Sequence, residues 1–407
     1  MERTILHCDL NSFYASVELL SRPDLRERPT AVCGDPESRH GIILAKNEAA
    51  KRYGVRTAET IWQARRKCPD LVLLPPHRDR YQTFSQLVNE IYGQYTDLVE
   101  PFGIDESWLD LTGSMHLFGG DAVRIADGIR ERVKRELGLT LSVGVSFNKV
   151  FAKLGSDYRK PDATTLISPA NWREMVWPLP LGSLLYAGPA AQRELAQYGV
   201  RTVGDLAAVD SVLPGRLLGK LGLVLWGYAN GQDTSPVRPQ HQREPVKSVG
   251  NSCTFREDLT TREQVRRETA LLCDSVAGRL RQQGLYCGAV QVGVKDPSFH
   301  SISRQKQLPY STHLMREVLG AAMELVDRVW KPPSPVRLLS VTALALTDRL
   351  ETYEQVDLLD AGGSASSSRL ERLEQAVDAI RRKYGGKAIS YGNTAAPDGS
   401  AHSIEDA

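Results

Sequence analysis

Long apolar runs are missing from this 407-residue chain. No stretch of about 18 consecutive apolar residues occurs, which argues against a membrane-spanning helix. The opening MERTILHCDLNS has neither the basic nor the apolar region of a secretory leader, so a cytoplasmic location and no membrane partner are expected. Cysteine is sparse and scattered. Cys8, Cys33, Cys68, Cys253, Cys273 and Cys287 form no CxxC pair, which argues against bound zinc and for a reducing compartment. Repeats of solenoid period are absent. Net charge is small, +2, well short of the strongly basic balance of dedicated nucleic-acid binders.

What is present suits a globular protein with a sizeable core: 41% hydrophobic and 25% charged residues. At roughly 100–200 residues per domain, the length predicts two to four domains. The charge is unevenly spread. Residues 1–120 hold 14 Lys and Arg against 17 Asp and Glu, whereas residues 238–349 hold 17 against 11. An acidic part beside a basic part suits a metal-using site joined to a module that grips a polyanion. Random variation between domains would give the same numbers.

Along the chain, TILHCDLN (4–11) reads as a buried strand and SFYASVELLSR (12–22) as a helix with Ser12 at its N-cap. PTAVCGD and GIILAKNE read as short strands, TIWQARRKCP as a helix stopped by Pro69, and LVLLPP as a strand. Helical spacing runs over 77–97 and again over 121–137. Residues 139–147 read as a strand, followed by a helix over 148–158 opened by Asn148. This alternation argues α/β or α+β for residues 1–168. Short helices and turns fill 169–235, and a proline-containing polar linker follows at 232–248. A second α+β domain spans 246–347, with helical runs at 261–283 and 311–330. AGGSASSSR (361–369) reads as a flexible linker, then a helix and a polar tail.

One stretch stands apart. EPFGIDESWLDLTG (100–113) sets Asp105 and Glu106 side by side among apolar residues. Neighbouring side chains on a flat strand point to opposite faces, so the two acids converge only at a bend. A β-hairpin with the acids at its turn satisfies this. If the first strand lies beside that hairpin, Asp9 joins them and three carboxylates gather at one sheet edge. Such a cluster needs neutralising, and hard divalent cations such as Mg²⁺ suit carboxylates together with substrate phosphates. Two ions about 4 Å apart would serve phosphoryl chemistry. Spacing alone leaves a second reading open, in which Asp105 and Glu106 are surface turn residues and Asp9 a helix cap. Lys46, Lys51, Arg52, Arg159 and Lys160 could screen a triphosphate, or be solvated surface charges. Phe13 and Tyr14 could pack in the core or against a sugar.

HCDLNSFYASVE, GIDESWLDLTG and LSVGVSFNKVFAKLGSDYRKPD, in that order and spacing, resemble the Y-family translesion DNA polymerases, in the DNA polymerase IV branch. The likeness covers roughly residues 4–360. It implies an α+β multidomain right-hand polymerase. The palm, ferredoxin-like βαββαβ, would be residues 1–10 and 75–168, and small fingers 11–74. A helical thumb would be 169–235, a linker 236–245 and an α+β little finger 246–347. A clamp-binding peptide at 348–360 and a flexible linker, short helix and tail over 361–407 complete the chain.

The resemblance implies that Asp9, Asp105 and Glu106 are catalytic carboxylates holding two Mg²⁺, with the Leu10 carbonyl a further ligand. Tyr14 takes the steric-gate position against a ribose 2′-OH, with Phe13 beside it, and Lys160 matches a triphosphate-contacting lysine. YEQVDLLDAGG resembles a peptide that docks on the bacterial sliding clamp through Gln355, Leu358 and Leu359. The implied partners are primer–template DNA, dNTPs and that clamp, the implied state a monomer, and the implied activity low-fidelity synthesis without proofreading.

Two departures stand out. The family's fingers motif carries Tyr and Arg on the triphosphate, where this chain has Glu48 and Lys51. Lysine keeps the charge without arginine's two-pronged fork. The family's thumb hairpin is Gly-x-Gly, where YAGPAAQREL has Gly188, Pro189 and Ala190, and proline has no amide to donate. Two other readings compete: a non-catalytic polymerase-like scaffold recruited to the clamp, and a different two-metal phosphotransferase such as a nucleotide cyclase.

Overall fold

The computed structural model describes residues 3–36, 41–242, 245–348, 363–386 and 388–392. The clamp-like peptide with Gln355, Leu358 and Leu359 lies outside the described residues. The chain divides into two compact units, Met1–Arg243 and Glu244–Ala407.

The first unit is built on strand β1 (Ile5–Leu10), all six residues buried. After it come helix α1 (Phe13–Leu20), strands β2 (Thr30–Cys33) and β3 (Ile43–Lys46), helices α2 (Glu48–Arg52) and α3 (Ile61–Lys67), and strand β4 (Val72–Leu74). Strands β2–β4 form a separate three-stranded sheet in the order β3-β2-β4, with its own small core around Cys33, Ile43 and Ala64. The chain then returns through α4 (Arg78–Tyr92), β5 (Val99–Pro101), β6 (Glu106–Asp110), α5 (Ala122–Leu137), β7 (Leu141–Ser146), α6 (Lys149–Tyr158) and β8 (Thr164–Ile167).

These strands make a five-stranded sheet in the order β5-β6-β1-β7-β8. Strand β1 is antiparallel to both β6 and β7, and β8 extends the edge parallel to β7. The order of β5, β6, β1 and β7 is that of the ferredoxin-like βαββαβ fold. Because side chains alternate along a strand, β1 feeds both faces. Leu6, Cys8 and Leu10 join the core under α1, α4 and α5. Ile5, His7 and Asp9 point to the face covered by α6, where Ile5 packs with Trp108 and Ala152. Helix α6 sits unusually close to β7, because a Cβ on Gly144 would lie 1.8 Å from the Ala152 carbonyl oxygen.

The acid-bearing stretch is the expected hairpin: β5 and β6 pair antiparallel, with the turn at 102–105. Other expectations shift. The helix expected over 77–97 ends at Tyr92, where Gly93 serves as C-cap. Ser12 precedes α1 but does not cap it. Its backbone is left-handed (φ 50°) and its side chain accepts no hydrogen bond from the helix. Asn148 does cap α6, accepting from the Phe151 amide.

Residues 172–229 form five helices, α7 (Trp172–Val176), α8 (Pro189–Ala196), α9 (Val203–Ala208), α10 (Val212–Leu218) and α11 (Lys220–Ala229), sharing a core with Val150, Phe151 and Leu154 of α6. Gly188 is the N-cap of α8 and Pro189 its first residue, a position where the missing amide costs nothing.

The second unit contains β9 (Val249–Leu259), α12 (Arg262–Gln282), β10 (Tyr286–Lys295), β11 (Ser301–Thr312), α13 (Met315–Val329), β12 (Val336–Thr347) and α14 (Gly363–Tyr384). Its antiparallel sheet runs β11-β10-β12-β9, packed against α12 and α13. Helix α14 begins at Gly363, within the stretch expected to be a flexible linker, and is docked by ion pairs. Arg281 pairs with Glu374 and Asp378, and Arg381 with Asp274 at 2.8 Å. Glu374 also accepts the Met315 amide at the start of α13, where a carboxylate suits the helix dipole.

Candidate active site

The three acids named from the sequence come together at one edge of the five-stranded sheet. Asp9 and Glu106 are direct partners across β1 and β6. Asp105, in the turn, is tied to the same edge because its carbonyl accepts the Leu10 amide at 3.0 Å. Ligand atoms of His7, Asp9 and Glu106 lie within 4.8 Å of one another.

Two lysines that the spacing of acids does not announce offset part of the cluster's charge. Lys160 Nζ lies 2.6 Å from Asp9 Oδ2 and 2.8 Å from Asp157 Oδ1. Lys153 Nζ pairs with Glu106 Oε2. His7 Nε2 lies 3.2 Å from the same oxygen, and His7 Nδ1 lies 2.8 Å from Ser156 Oγ. Asn11 fixes the Lys160 segment, accepting the Asp162 amide at 2.9 Å and donating to Ser142.

Electrostatics separate the three carboxyls. Burial pushes Asp105 up, Asp9 and Glu106 add their repulsion, and it stands at about 6. Burial also pushes Glu106 up, but the His7 and Lys153 contacts outweigh it and bring it down to about 2. Asp9 stays raised by burial, with Lys160 acting against the rise. Burial holds His7 below its usual value despite the Glu106 contact. Three hard oxygen donors with unbalanced negative charge are a donor set that fits a divalent cation.

Phe13 and Tyr14 divide their work. Phe13 is 3% exposed and belongs to the core. Tyr14 is half-buried, stacked on Tyr81 with centroids 4.1 Å apart and planes at 10°. Tyr81 in turn donates to the buried Glu18 at 2.6 Å. At the start of α2, Glu48 does not stand unbalanced. It pairs with Lys51 at 2.5 Å and accepts the Ser12 hydroxyl at 3.2 Å.

Sequence reasoning did not single out His7 and Lys153. The signal was there: His7 is two residues before Asp9, hence on the same strand face, and Lys153 is one helical turn after Lys149.

A ferredoxin-like sheet carrying this carboxylate edge, with a small inserted sheet, a helical cluster and a second α+β unit, defines a Y-family DNA polymerase fold. A solved Y-family DNA polymerase chimera is similar at TM-score 0.73 and 20% identity, covering 84% of this chain and 98% of that one. The chain belongs to the impB/mucB/samB family, whose pattern matches residues 8–157 and whose C-terminal domain matches 246–358. DNA polymerase IV of Acetivibrio thermocellus is 47% identical over 392 residues, 96% of this chain and 97% of that protein. DNA polymerase IV 1 of Bacillus subtilis is 36% identical, over 96% of this chain and 93% of that protein. Among the described residues no helix is long and apolar enough to cross a membrane.

Proposed function

We propose that this DNA polymerase extends a primer 3′-OH with dNTPs by two-Mg²⁺ nucleotidyl transfer, in low-fidelity translesion synthesis without proofreading. The primer oxygen forms a bond to the α-phosphorus, the bond to the bridging oxygen breaks, and pyrophosphate leaves. When bound, the two ions supply acidity to the primer hydroxyl and charge to the leaving group. Asp9, Asp105, Glu106 and the Leu10 carbonyl hold them. Lys160, adjacent to Asp9, is placed to turn to the triphosphate. Tyr14 excludes a 2′-hydroxyl by occupying its space, its ring braced by Tyr81. Lys51 is spoken for by Glu48, so the fingers bring less free positive charge to the nucleotide than a Tyr–Arg pair would.

Residues 1–10 and 75–168 serve as palm, 11–74 as fingers, 169–235 as thumb and 246–347 as little finger. The latter's basic excess would grip duplex phosphates, so affinity should fall steeply with salt. Gln355, Leu358 and Leu359 would recruit the monomer to the bacterial sliding clamp in the cytoplasm. The single observation that carries the catalytic reading is the meeting of Asp9, Asp105 and Glu106 at one sheet edge, with Asp9 and Glu106 in register. It disfavours the scaffold, which has no use for such an edge. A cyclase has no use for the second, basic domain.

Primer extension with Mg²⁺ and dNTPs tests the reading, comparing wild type with Asp105→Ala/Glu106→Ala. Extension by wild type alone is expected. Absence of extension by wild type, with DNA binding intact, would sink the enzyme reading and return the scaffold.

A further inference from the structure

Glu106 meets both of its side-chain neighbours at one oxygen, and of the two only Lys153 bonds it. Lys153 Nζ donates to Oε2, His7 Nε2 lies 3.2 Å from the same oxygen without a hydrogen bond, and among the described residues no hydrogen bond reaches Oε1. Both partners are themselves held. His7 is fully buried, bonded at Nδ1 to Ser156 and with its ring 5.3 Å from Trp108. Lys153 lies 5.5 Å over the Phe102 ring, and its backbone carbonyl accepts the Ser156 hydroxyl at 2.7 Å. Ser156 therefore touches both partners of the same carboxylate oxygen.

We infer that Lys153 is a positioning residue that occupies Oε2 of Glu106 so that this side chain offers a cation one oxygen, Oε1. The inference rests on the reading of Asp9, Asp105 and Glu106 as a divalent-cation site. Its consequence is selectivity. Ca²⁺ accepts six to eight oxygens and often takes both from a carboxylate, whereas Mg²⁺ demands a small octahedral set. A glutamate restricted to one oxygen suits Mg²⁺ and denies Ca²⁺ a ligand. Fixing the side chain in advance also removes rotamer entropy that binding would otherwise have to overcome.

Charge and geometry are separable here. Deleting one positive charge beside the cluster strengthens binding of every divalent cation by a similar factor. The ratio of Mg²⁺ to Ca²⁺ affinity cancels that factor and keeps the geometric part.

The experiment uses the full-length protein without DNA. Mn²⁺ binding is followed by water-proton relaxation, and Mg²⁺ and Ca²⁺ are measured as competitors. In Lys153→Met the affinity ratio should move toward Ca²⁺ by about three-fold or more, as Oε2 becomes available. Lys153→Arg, which keeps a donor to Oε2, should move it back toward wild type. An unchanged ratio in Lys153→Met, with wild-type melting, overturns the inference. Should that variant fail to fold, Lys153→Gln replaces it under the same criteria. Wild type that binds no Mn²⁺ would overturn the cation-site reading itself, and this inference with it, before any substitution is tested.

Discussion

Lys160 Nζ sits 2.6 Å from Asp9 Oδ2, although 151 residues separate the two in sequence. Lys153 takes Glu106 in the same way. Asp105 makes no ion pair among the described residues, so the uncompensated charge of the cluster rests on it, and its carboxyl stands at about 6.

Asp105→Asn should therefore stabilise the ion-free protein, and only above a certain pH. A carboxyl whose folded pKa is raised costs nothing below its unfolded value near 4. The cost grows as pH rises from there to the folded value, here about 6, and is constant above it. Melting in EDTA should show a gain on the order of 1–2 kcal/mol at pH 7.5, allowing for partial exposure, and none at pH 4. A gain that is the same at both pH values would show that repulsion is not its source. Polymerase activity should be lost in the same variant, a trade of stability against function.

Tyr14→Ala should admit ribonucleotides. The ring is braced face to face by Tyr81, so it cannot yield toward that side. Removing it should raise rNTP over dNTP incorporation by roughly 10- to 200-fold in single-nucleotide extension, the range a few kcal/mol of steric exclusion supports. Tyr81→Leu should have a smaller effect of the same sign.

Gly144→Ala should prevent normal folding of the first unit. An added Cβ would meet the Ala152 carbonyl oxygen at 1.8 Å and the Ser156 amide nitrogen at 2.4 Å, both backbone atoms with no rotamer to escape into. The expected loss is about 4 kcal/mol or more, visible as low soluble yield or a greatly lowered melting temperature.

Arg281 and Glu374 make a prediction for the second unit, since their side chains are only 5% and 4% exposed. Arg281→Ala should cost about 3–5 kcal/mol in denaturant unfolding of that unit, because it strands two carboxylates. The triple change Arg281→Met, Glu374→Leu and Asp378→Asn should cost much less, since no buried charge of this group is left alone.

The hairpin and its acids were legible from residues 100–113, because apolar alternation with an acidic pair at its bend has few other solutions. Asn148 capped its helix as expected for the same local reason. Ser12 did not: a tertiary bond to Glu48, 36 residues away, competes with the cap, and the backbone turns left-handed there. Strand–helix alternation could not distinguish α/β from α+β, since it does not reveal that β1 pairs antiparallel on both sides. His7 and Lys153 went unnoticed because each resembles an ordinary core or surface residue until the fold places both on one oxygen. The linker-like AGGSASSSR gave no local sign that helix α14 starts within it; the ion pairs that hold that helix come from residues far off in sequence.

The placement of β1 has a consequence for biosynthesis. Its hydrogen-bonding partners begin at residue 106 on one side and 141 on the other. On a ribosome adding about 5–20 residues per second, a strand whose six residues are all buried in the fold waits several seconds with both edges open for either neighbour. The inserted sheet of β2–β4 can form in that interval, from residues already made, while the catalytic edge cannot. Nascent chains stalled before residue 146 should thus be the aggregation-prone ones, and the ones a chaperone holds.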